Sequence, residues 1–513
     1  MTPALSSPVE RGDKSGLFAA TLPRMVAAIA LFSAAGLVEA RQAGSVSSLS
    51  DSDIWWHLSS GLWMLQHQAL PRSGILSQAA GQSWIAASWL YDLKLAIFYK
   101  VFGLRTIPIF AMSLKAGVSI IAFLLAGGRR GSFWVAASVS AIAQYVLAAL
   151  PATPAYASVV FFGIELLLLL EMRRAHRMKL VFWLPPLFLV WANVDVQFVY
   201  GLGLVILFLI SLVLERLGSD LGGYSFKDRE WIRDRKVRIT LAIGAAFCVV
   251  ATVITPYFYH VYGVFLEKTF SAANPYLEET YAPGFRQPHD YVLMLFVMCA
   301  FLVLGMRRSR DPFLIGVLVL STALAFHSRR DIWLVALAVC AVMGETNAKT
   351  SKDCEAEANL RVDGLRGREF WIAVGAAVLV VALSAAILIP REPGALLAKA
   401  SENYPVGACD YIRQNHLPQP VFNALEWGGF LTWYLPEYPV AIDGRIDLYG
   451  GEFIVQYSQM MNAGIRYTEF PPIANAETIV LPQAAIMAQA LSSLPAYKVV
   501  YSDNVATVLS RVI

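Results

Sequence analysis

The stretch Ser50-Asp51-Ser52-Asp53-Ile54-Trp55-Trp56-His57 puts two carboxylates and an imidazole within eight residues. Ser50 or Asp51 can cap a helix. Ile54, Leu58, Leu62 and Leu65 then form one apolar stripe, and Asp53, His57, Ser60, Met64 and His67 fall on the opposite side. A carboxylate beside a low-dielectric wall has its pKa raised towards the range useful for a general base. Asp51 or Asp53 could thus take a proton from a hydroxyl, with His57 assisting or binding a leaving phosphate. The alternative is ordinary capping by Asp and a solvated His on an interfacial helix, with Trp55, Trp56 and Trp63 at the headgroup boundary. A divalent metal is a further candidate cofactor for the Asp-x-Asp pair, although two carboxylates are an incomplete ligand set.

Four other groups carry candidate chemistry. His327, Arg329 and Arg330 precede Asp331, and guanidinium groups match phosphate oxygens in bidentate fashion. Snorkelling or an ion pair with Asp331 is the competing explanation. Asp195 lies between Asn193 and Gln197 at a hairpin joining two apolar runs, where an ionisable group near lipid suggests function. Glu278 and Glu279 occur among the aromatics and prolines of residues 256–290, a mixture that suits sugar binding and also any ordered loop. Asp443 and Arg445 follow an expected strand, where ligands bind in open α/β sheets; the bland reading is a turn held by an Asp-Arg pair, with Gly444 allowing the bend.

The elements that position these residues need lipid. Of 513 residues 57% are hydrophobic and only 15% charged, well below the roughly 25% charged of a soluble domain. The net charge of +4 and its distribution give no sign of nucleic-acid binding. Apolar runs long enough to cross roughly 30 Å of hydrocarbon recur from Arg24 to Ile389. Basic clusters at Arg129-Arg130, Arg173 to Lys179, Arg216 to Arg238, Arg307 to Arg310 and Lys349 to Arg368 should all face the cytoplasm. This holds if residues 41–105 form one long external loop, in which Asp92, Lys94 and Lys100 make the segment from Trp84 to Gly103 an amphipathic surface helix. About eleven spans follow, at 24–40, 106–126, 132–149, 155–171, 180–195, 198–214, 239–255, 291–306, 312–327, 331–344 and 371–389. The N-terminus lies inside, and loops 41–105 and 256–290 and the C-terminal tail lie outside. Arg329-Arg330 breaks the rule by facing outward.

After Pro390 the pattern changes. Residues 421–423, 440–443, 478–481, 498–501 and 507–512 look like strands, and 426–435, 451–462 and 483–493 like helices. This predicts a small soluble α/β sandwich over 390–513 with a largely parallel sheet. The five cysteines contain no CxxC pair and read as packing residues.

The segments DIWWHLSSGLWML, SWLYDL, HSRRDIWLVAL and VFNALEWGGFLTWYLPEYPVAIDGRIDLY together resemble a bacterial group of GT-C-like membrane proteins. The order of a first span, a long external loop with two interfacial helices, many spans (residues 1–389) and an external soluble domain resembles the GT-C superfamily of membrane glycosyltransferases. That resemblance implies transfer of a sugar from a polyprenyl-phosphate-linked donor to a glycan, lipid or protein acceptor outside the bacterial cytoplasmic (inner) membrane. It also implies an essential Asp in the first external loop, matching Asp51 or Asp53, and basic residues on the carrier phosphate, for which Arg329 and Arg330 are the nearest counterparts. The clear acidic partners of a second external loop have only Glu278 and Glu279 as equivalents. A non-catalytic membrane scaffold or glycan-binding protein, or a transporter of lipid-linked sugars, is the alternative.

Overall fold

The structure is a computed structural model describing residues 14–42, 49–148, 150–151, 153–220, 234–358, 364–365 and 367–512. Residues 221–233 of the basic stretch from Arg216 to Arg238, and 359–363 and 366 of the linker from Lys349 to Arg368, lie outside the described residues. In chain order the first helices are α1 (Lys14–Gln42), α2 (Ser52–His67), α3 (Trp89–Phe102), α4 (Thr106–Leu125), α5 (Phe133–Leu147), α6 (Pro154–Ala175) and α7 (Leu184–Val194). Then come α8 (Phe198–Asp220), α9 (Arg235–Val253), α10 (His260–Phe270), α11 (Pro288–Met306), α12 (Pro312–His327), α13 (Ile332–Ala358) and α14 (Gly367–Leu388).

A helix underlies each apolar run found in the sequence. Among the described residues eight helical segments are long and apolar enough to cross a membrane, and Phe133–Leu147, Met178–Val194 and Pro312–His327 are shorter apolar helices. One of the eight runs from Trp89 to Leu125, yet Gly103, at φ 59°, interrupts it. Fourteen residues rise about 21 Å, so α3 alone is too short to span hydrocarbon.

The two ends of the bundle differ in charge. At one end Arg173 bridges Glu215 at 2.6 Å and Asp311 at 2.8 Å, Arg130 pairs with Glu171, and Arg174 pairs with Glu345. At the other end lie α2, α3, α10, the Arg329–Asp331 turn and everything after α14.

The C-terminal unit comprises α15 (Pro393–Ala400), α16 (Val406–Gln414), β1 (Val421–Asn423), α17 (Leu425–Tyr434), α18 (Ile446–Tyr449), α19 (Gly451–Met461), α20 (Pro471–Ala474), β2 (Thr478–Pro482), α21 (Ile486–Ser492), β3 (Tyr497–Ser502) and β4 (Ala506–Arg511). Its sheet has the order β1-β2-β4-β3, with β1–β2 parallel and the other two pairs antiparallel. The expectation of a largely parallel sheet is therefore corrected. Residues 440–443 are not a strand of it either, because their backbone is engaged elsewhere. Gln78 N–H donates to Val440 O at 2.9 Å and Val440 N–H to Leu76 O at 3.2 Å, while the Asn423 side chain bonds Ala441 N–H and Ile442 O.

The first loop and the C-terminal unit thus share one core, and α2 is its centre. Sequence analysis made α2 an interfacial helix with one face solvated. Instead Trp55, Trp56, His57, Leu58, Ser59, Ser60 and Gly61 are all buried. Trp55, expected at headgroups, instead packs edge-on to Tyr404 and Phe430 and lies 4.8 Å from Trp433 of the C-terminal unit, whereas Trp63 is half-buried and stacks on His67. Two glycines permit the approach. A Cβ on Gly61 would stand 2.0 Å from Asp92 O, and one on Gly429 would stand 2.4 Å from Ser52 O. Gly428-Gly429 is helical, within α17, and serves packing.

Backbone oxygens cannot retreat as a flexible side chain can. Gly61→Ala and Gly429→Ala should each destabilise the full-length protein by about 1–3 kcal/mol or more. Gly203→Ala, with nothing within 4 Å of its added Cβ, is the neutral control. Thermal unfolding of the three variants in nanodiscs checks this, and equal midpoints would contradict it.

Candidate functional site

Asp51 is the N-cap of α2 (φ −70°, ψ 119°), and its Oδ1 accepts the Asp53 backbone N–H at 3.0 Å. That capping bond sets the phase of the helix, which places Asp53 and His57, one turn apart, on a common face. Asp53 Oδ1 accepts the Trp56 indole N–H at 3.2 Å, and a Cβ on Gly444 would lie 2.0 Å from the same oxygen. The IDGR turn therefore needs glycine for room beside Asp53, since Gly444 is not among the residues of positive φ.

Both residues line a cavity of about 520 Å³. Its lining also includes Lys268 from α10, His289 from α11, and Arg329 and Arg330 from the turn between α12 and α13. Arg329 lies 3.6 Å from Glu278 and 3.7 Å from the buried Asp290, and Arg330 Nη1 is 3.5 Å from Lys268 O. The Nε atoms of both arginines are buried without hydrogen-bond partners. Tyr200 fixes the turn by donating to Asp331 at 3.0 Å. Asp195 forms part of the lining too, accepting the Ser158 hydroxyl proton at 2.6 Å while Trp191 donates to the same hydroxyl at 2.7 Å. Val146, Leu150, Val159 and Trp333 give the cavity an apolar side towards the bundle.

Of the residues singled out in sequence, Asp53, His57, Asp195, Glu278, Glu279, Arg329 and Arg330 line this one cavity, with Asp51 capping the helix behind it. His327 does not line it; it ends α12 as an exposed side chain. Asp443 and Arg445 are fully buried and hold each other, Arg445 Nε bonding Asp443 Oδ1 at 2.9 Å. The Arg445 guanidinium also sits 4.9 Å over Trp84, whose indole N–H bonds Asp447. This pair pins the first loop to the C-terminal unit, with Gly444 and Ile446 reaching the cavity between and beyond them. Among the described residues no group of three or more His, Cys, Asp or Glu is placed to hold a metal ion.

Two groups were missed. Lys268 lies in the loop read only for its aromatics and acids, and nothing in its neighbourhood marks it. Asp92 was read as a surface charge, yet it is fully buried and lies 2.6 Å from His57 Nδ1. The one carboxylate of a helix whose other charges, Lys94 and Lys100, are both basic was the signal available.

Electrostatics follow from burial. Removal from water pushes the Asp51 carboxyl up to about 6; the Asp53 N–H opposes this and the Glu279 charge adds to it. Burial raises Asp53 well above its ordinary range, helped by Asp51 and Glu279 and opposed by Trp56 and Lys268. Burial also holds His57 well below its ordinary value, with Lys268 and Arg445 adding to the effect, so its imidazole is neutral.

No family model and no curated protein matches the sequence. Solved structures do. ArnT from Cupriavidus metallidurans bound to undecaprenyl phosphate superposes with a TM-score of 0.50 at 14% identity, over 94% of this chain and 98% of that one. The oligosaccharyltransferase AglB from Archaeoglobus fulgidus, in complex with an inhibitory peptide and a dolichol-phosphate, gives 0.50 at 12% identity over 92% and 70%. The fold is GT-C-like. This GT-C-like chain is a polytopic helical membrane protein with a small C-terminal sheet, as the sequence led us to expect.

Asp51 offers a direct test of the site's electrostatics. Its folded pKa, about 6, exceeds its ordinary 3.8, so folding takes up a proton. Its contribution is therefore most unfavourable above about pH 6, and it fades as pH falls towards 3.8. Asp51→Asn, which keeps a capping oxygen, should raise the thermal midpoint at pH 7.5 and flatten the gain that wild type shows between pH 7.5 and 5. A variant less stable at pH 7.5, with the wild-type pH slope, would contradict this.

Proposed function

We propose that the protein transfers a sugar from a polyprenyl-phosphate-linked donor to an acceptor on the outer face of a bacterial cytoplasmic membrane. The observation that carries this reading is the meeting, in one cavity, of Lys268, Arg329 and Arg330 with Asp53 and His57. Cations with buried, unpartnered N–H groups suit a phosphate, which accepts several charge-assisted hydrogen bonds. Asp53 and His57 supply groups that bind and deprotonate an acceptor.

In the transfer, the acceptor oxygen bonds to the anomeric carbon as the bond from that carbon to the phosphate oxygen breaks. The electron pair leaves with the carrier phosphate, where Lys268, Arg329 and Arg330 stabilise it, and the acceptor proton passes to the α2 wall. Asp53, fixed by Trp56, accepts a hydrogen bond from a hydroxyl at the reacting centre. The apolar side of the cavity leads the isoprenoid chain towards lipid. Two solved structures of like fold contain polyprenyl phosphates by their descriptions, undecaprenyl phosphate in ArnT and a dolichol-phosphate in AglB, which supports the same class of ligand here.

Orientation belongs to the same reading. The Arg130, Arg173 and Arg174 pairs lie at the end opposite the cavity, which suits a cytoplasmic end, with the N-terminus there and residues 390–513 outside as an acceptor-binding lid. The acceptor is a glycan, lipid or protein of the envelope.

Binding of undecaprenyl phosphate to the full-length protein in nanodiscs tests this. Each charge-assisted contact carries about 1.5–3 kcal/mol, so Arg329→Ala, Arg330→Ala and Lys268→Ala should each weaken affinity roughly 10-fold or more. His327→Ala should leave it unchanged. Absence of binding by the wild type, or wild-type affinity in all three cation variants, would overturn the proposal.

A further inference from the structure

We infer that His57 takes the acceptor's proton, and that Asp92 positions His57 to do so; the inference rests on the transfer reading above. Three observations carry it. First, the His57 ring has one nitrogen committed: Nδ1 lies 2.6 Å from Asp92 Oδ1, both residues being buried, with side-chain exposures of 5% and 1%. Burial raises the Asp92 carboxyl well above its ordinary range, opposed by Lys268 and Arg445; in its ionised form it accepts from Nδ1–H, which leaves Nε2 with its lone pair. The ring lines the cavity, and among the described residues Nε2 has no hydrogen bond.

Second, the ring cannot turn away. Trp56 stacks on it, with centroids 3.6 Å apart, and Tyr91 meets it edge-on at 5.5 Å. Trp56 is itself bonded to Asp53, so the two cavity-facing groups of α2 are fixed relative to one another. The α3 partner is equally fixed, because Gly61 of α2 packs against the Asp92 carbonyl oxygen.

Third, the division of labour follows from what each side chain has left to offer. Asp53 Oδ1 already accepts Trp56 Nε1–H and is hemmed in by Gly444. His57 has an unused lone pair on a ring that lines the cavity, and the Asp92 carboxyl stands against its other nitrogen. Asp92 then stabilises the imidazolium that forms. The balance is simple: the acceptor O–H proton goes to Nε2, the acceptor oxygen bonds the anomeric carbon, and the carrier phosphate departs with the electron pair. His57 afterwards releases its proton to water.

An Asp-His contact that merely joined α2 to α3 would give the same hydrogen bond, so the test must read chemistry. Full-length wild type, His57→Gln and Asp92→Asn are prepared in nanodiscs with [15N]histidine, and the resonance lost in His57→Gln is assigned to His57. Turnover is measured with a panel of undecaprenyl-phosphoryl [14C]sugars, with and without sodium azide, an anionic nucleophile that needs no base. Wild type should show His57 protonated on Nδ1 and bare on Nε2 at neutral pH, and Asp92→Asn should lose that single tautomer. Both variants should lose about 100-fold or more in kcat with KM little changed. Azide should restore release of undecaprenyl phosphate in both, as the glycosyl azide forms. A wild-type His57 protonated on Nε2, unaltered kcat in Asp92→Asn, or no azide rescue of either variant would overturn the inference. Failure of wild type to bind undecaprenyl phosphate would instead overturn the transfer reading, and the tautomer would still decide the geometry.

Discussion

Everything at the cavity end of this molecule depends on α2 being held by backbone on both flanks. Gly61 lets α3 touch it through the Asp92 carbonyl, and Gly429 lets α17 touch it through Ser52 O. Contacts between backbones leave no side-chain freedom to be lost, so the position of α2 is set to within a few tenths of an ångström. Gly444 then presses on Asp53 itself. A C-terminal unit more than 300 residues away in the chain thereby fixes Asp53. The Trp55 cluster and the buried Asp443–Arg445 pair fasten the same seam, and their contribution is to place α2.

That constraint explains how the site can hold charges that a stable core would discard. Asp51 and Asp53 are half-buried with one residue between them, and the Nε atoms of Arg329 and Arg330 are buried without partners. Each costs free energy in the absence of a ligand. Both signs meet around the cavity: Lys268, Arg329 and Arg330 line it together with Asp53, Glu278 and Glu279, and Arg329 also lies 3.7 Å from the buried Asp290, so a reacting pair there would have cations and acids within reach. Glu278, exposed and 3.6 Å from Arg329, stands at the entrance.

What was legible in the sequence follows the same physics. The helices of the bundle were, because lipid demands long apolar runs that leave a plain compositional trace. The Arg329-Arg330 turn was, because it violates an otherwise consistent charge pattern. Asp53 and His57 were found as neighbours on a helix face, a local relation. Relations between distant segments were not legible. Asp92 looked solvated because its partner is 35 residues away on another helix, and Lys268 carried no mark at all. Val440 to Asp443 read as a strand because it is extended and apolar, but its pairing partners, Leu76 and Gln78, come from the first loop. Trp55 and Trp56 of α2 have the composition of a membrane belt and the environment of a core, since amphipathic rings suit either. Asp443 and Arg445 sat where ligands bind in α/β sheets, yet they satisfy one another and leave the cavity to Gly444.

The central claim is that a carrier phosphate binds between the Arg329-Arg330 turn and α2. A cryo-electron-microscopy structure of the full-length protein in nanodiscs with undecaprenyl phosphate tests it most directly. The account predicts phosphate density within hydrogen-bonding distance of Arg329 and Arg330, facing Asp53 and His57, with the isoprenoid chain leaving past Val146 and Val159. Phosphate density elsewhere, as in the apolar groove lined by Trp89, Leu189 and Val253, with the cavity holding only water, would contradict it.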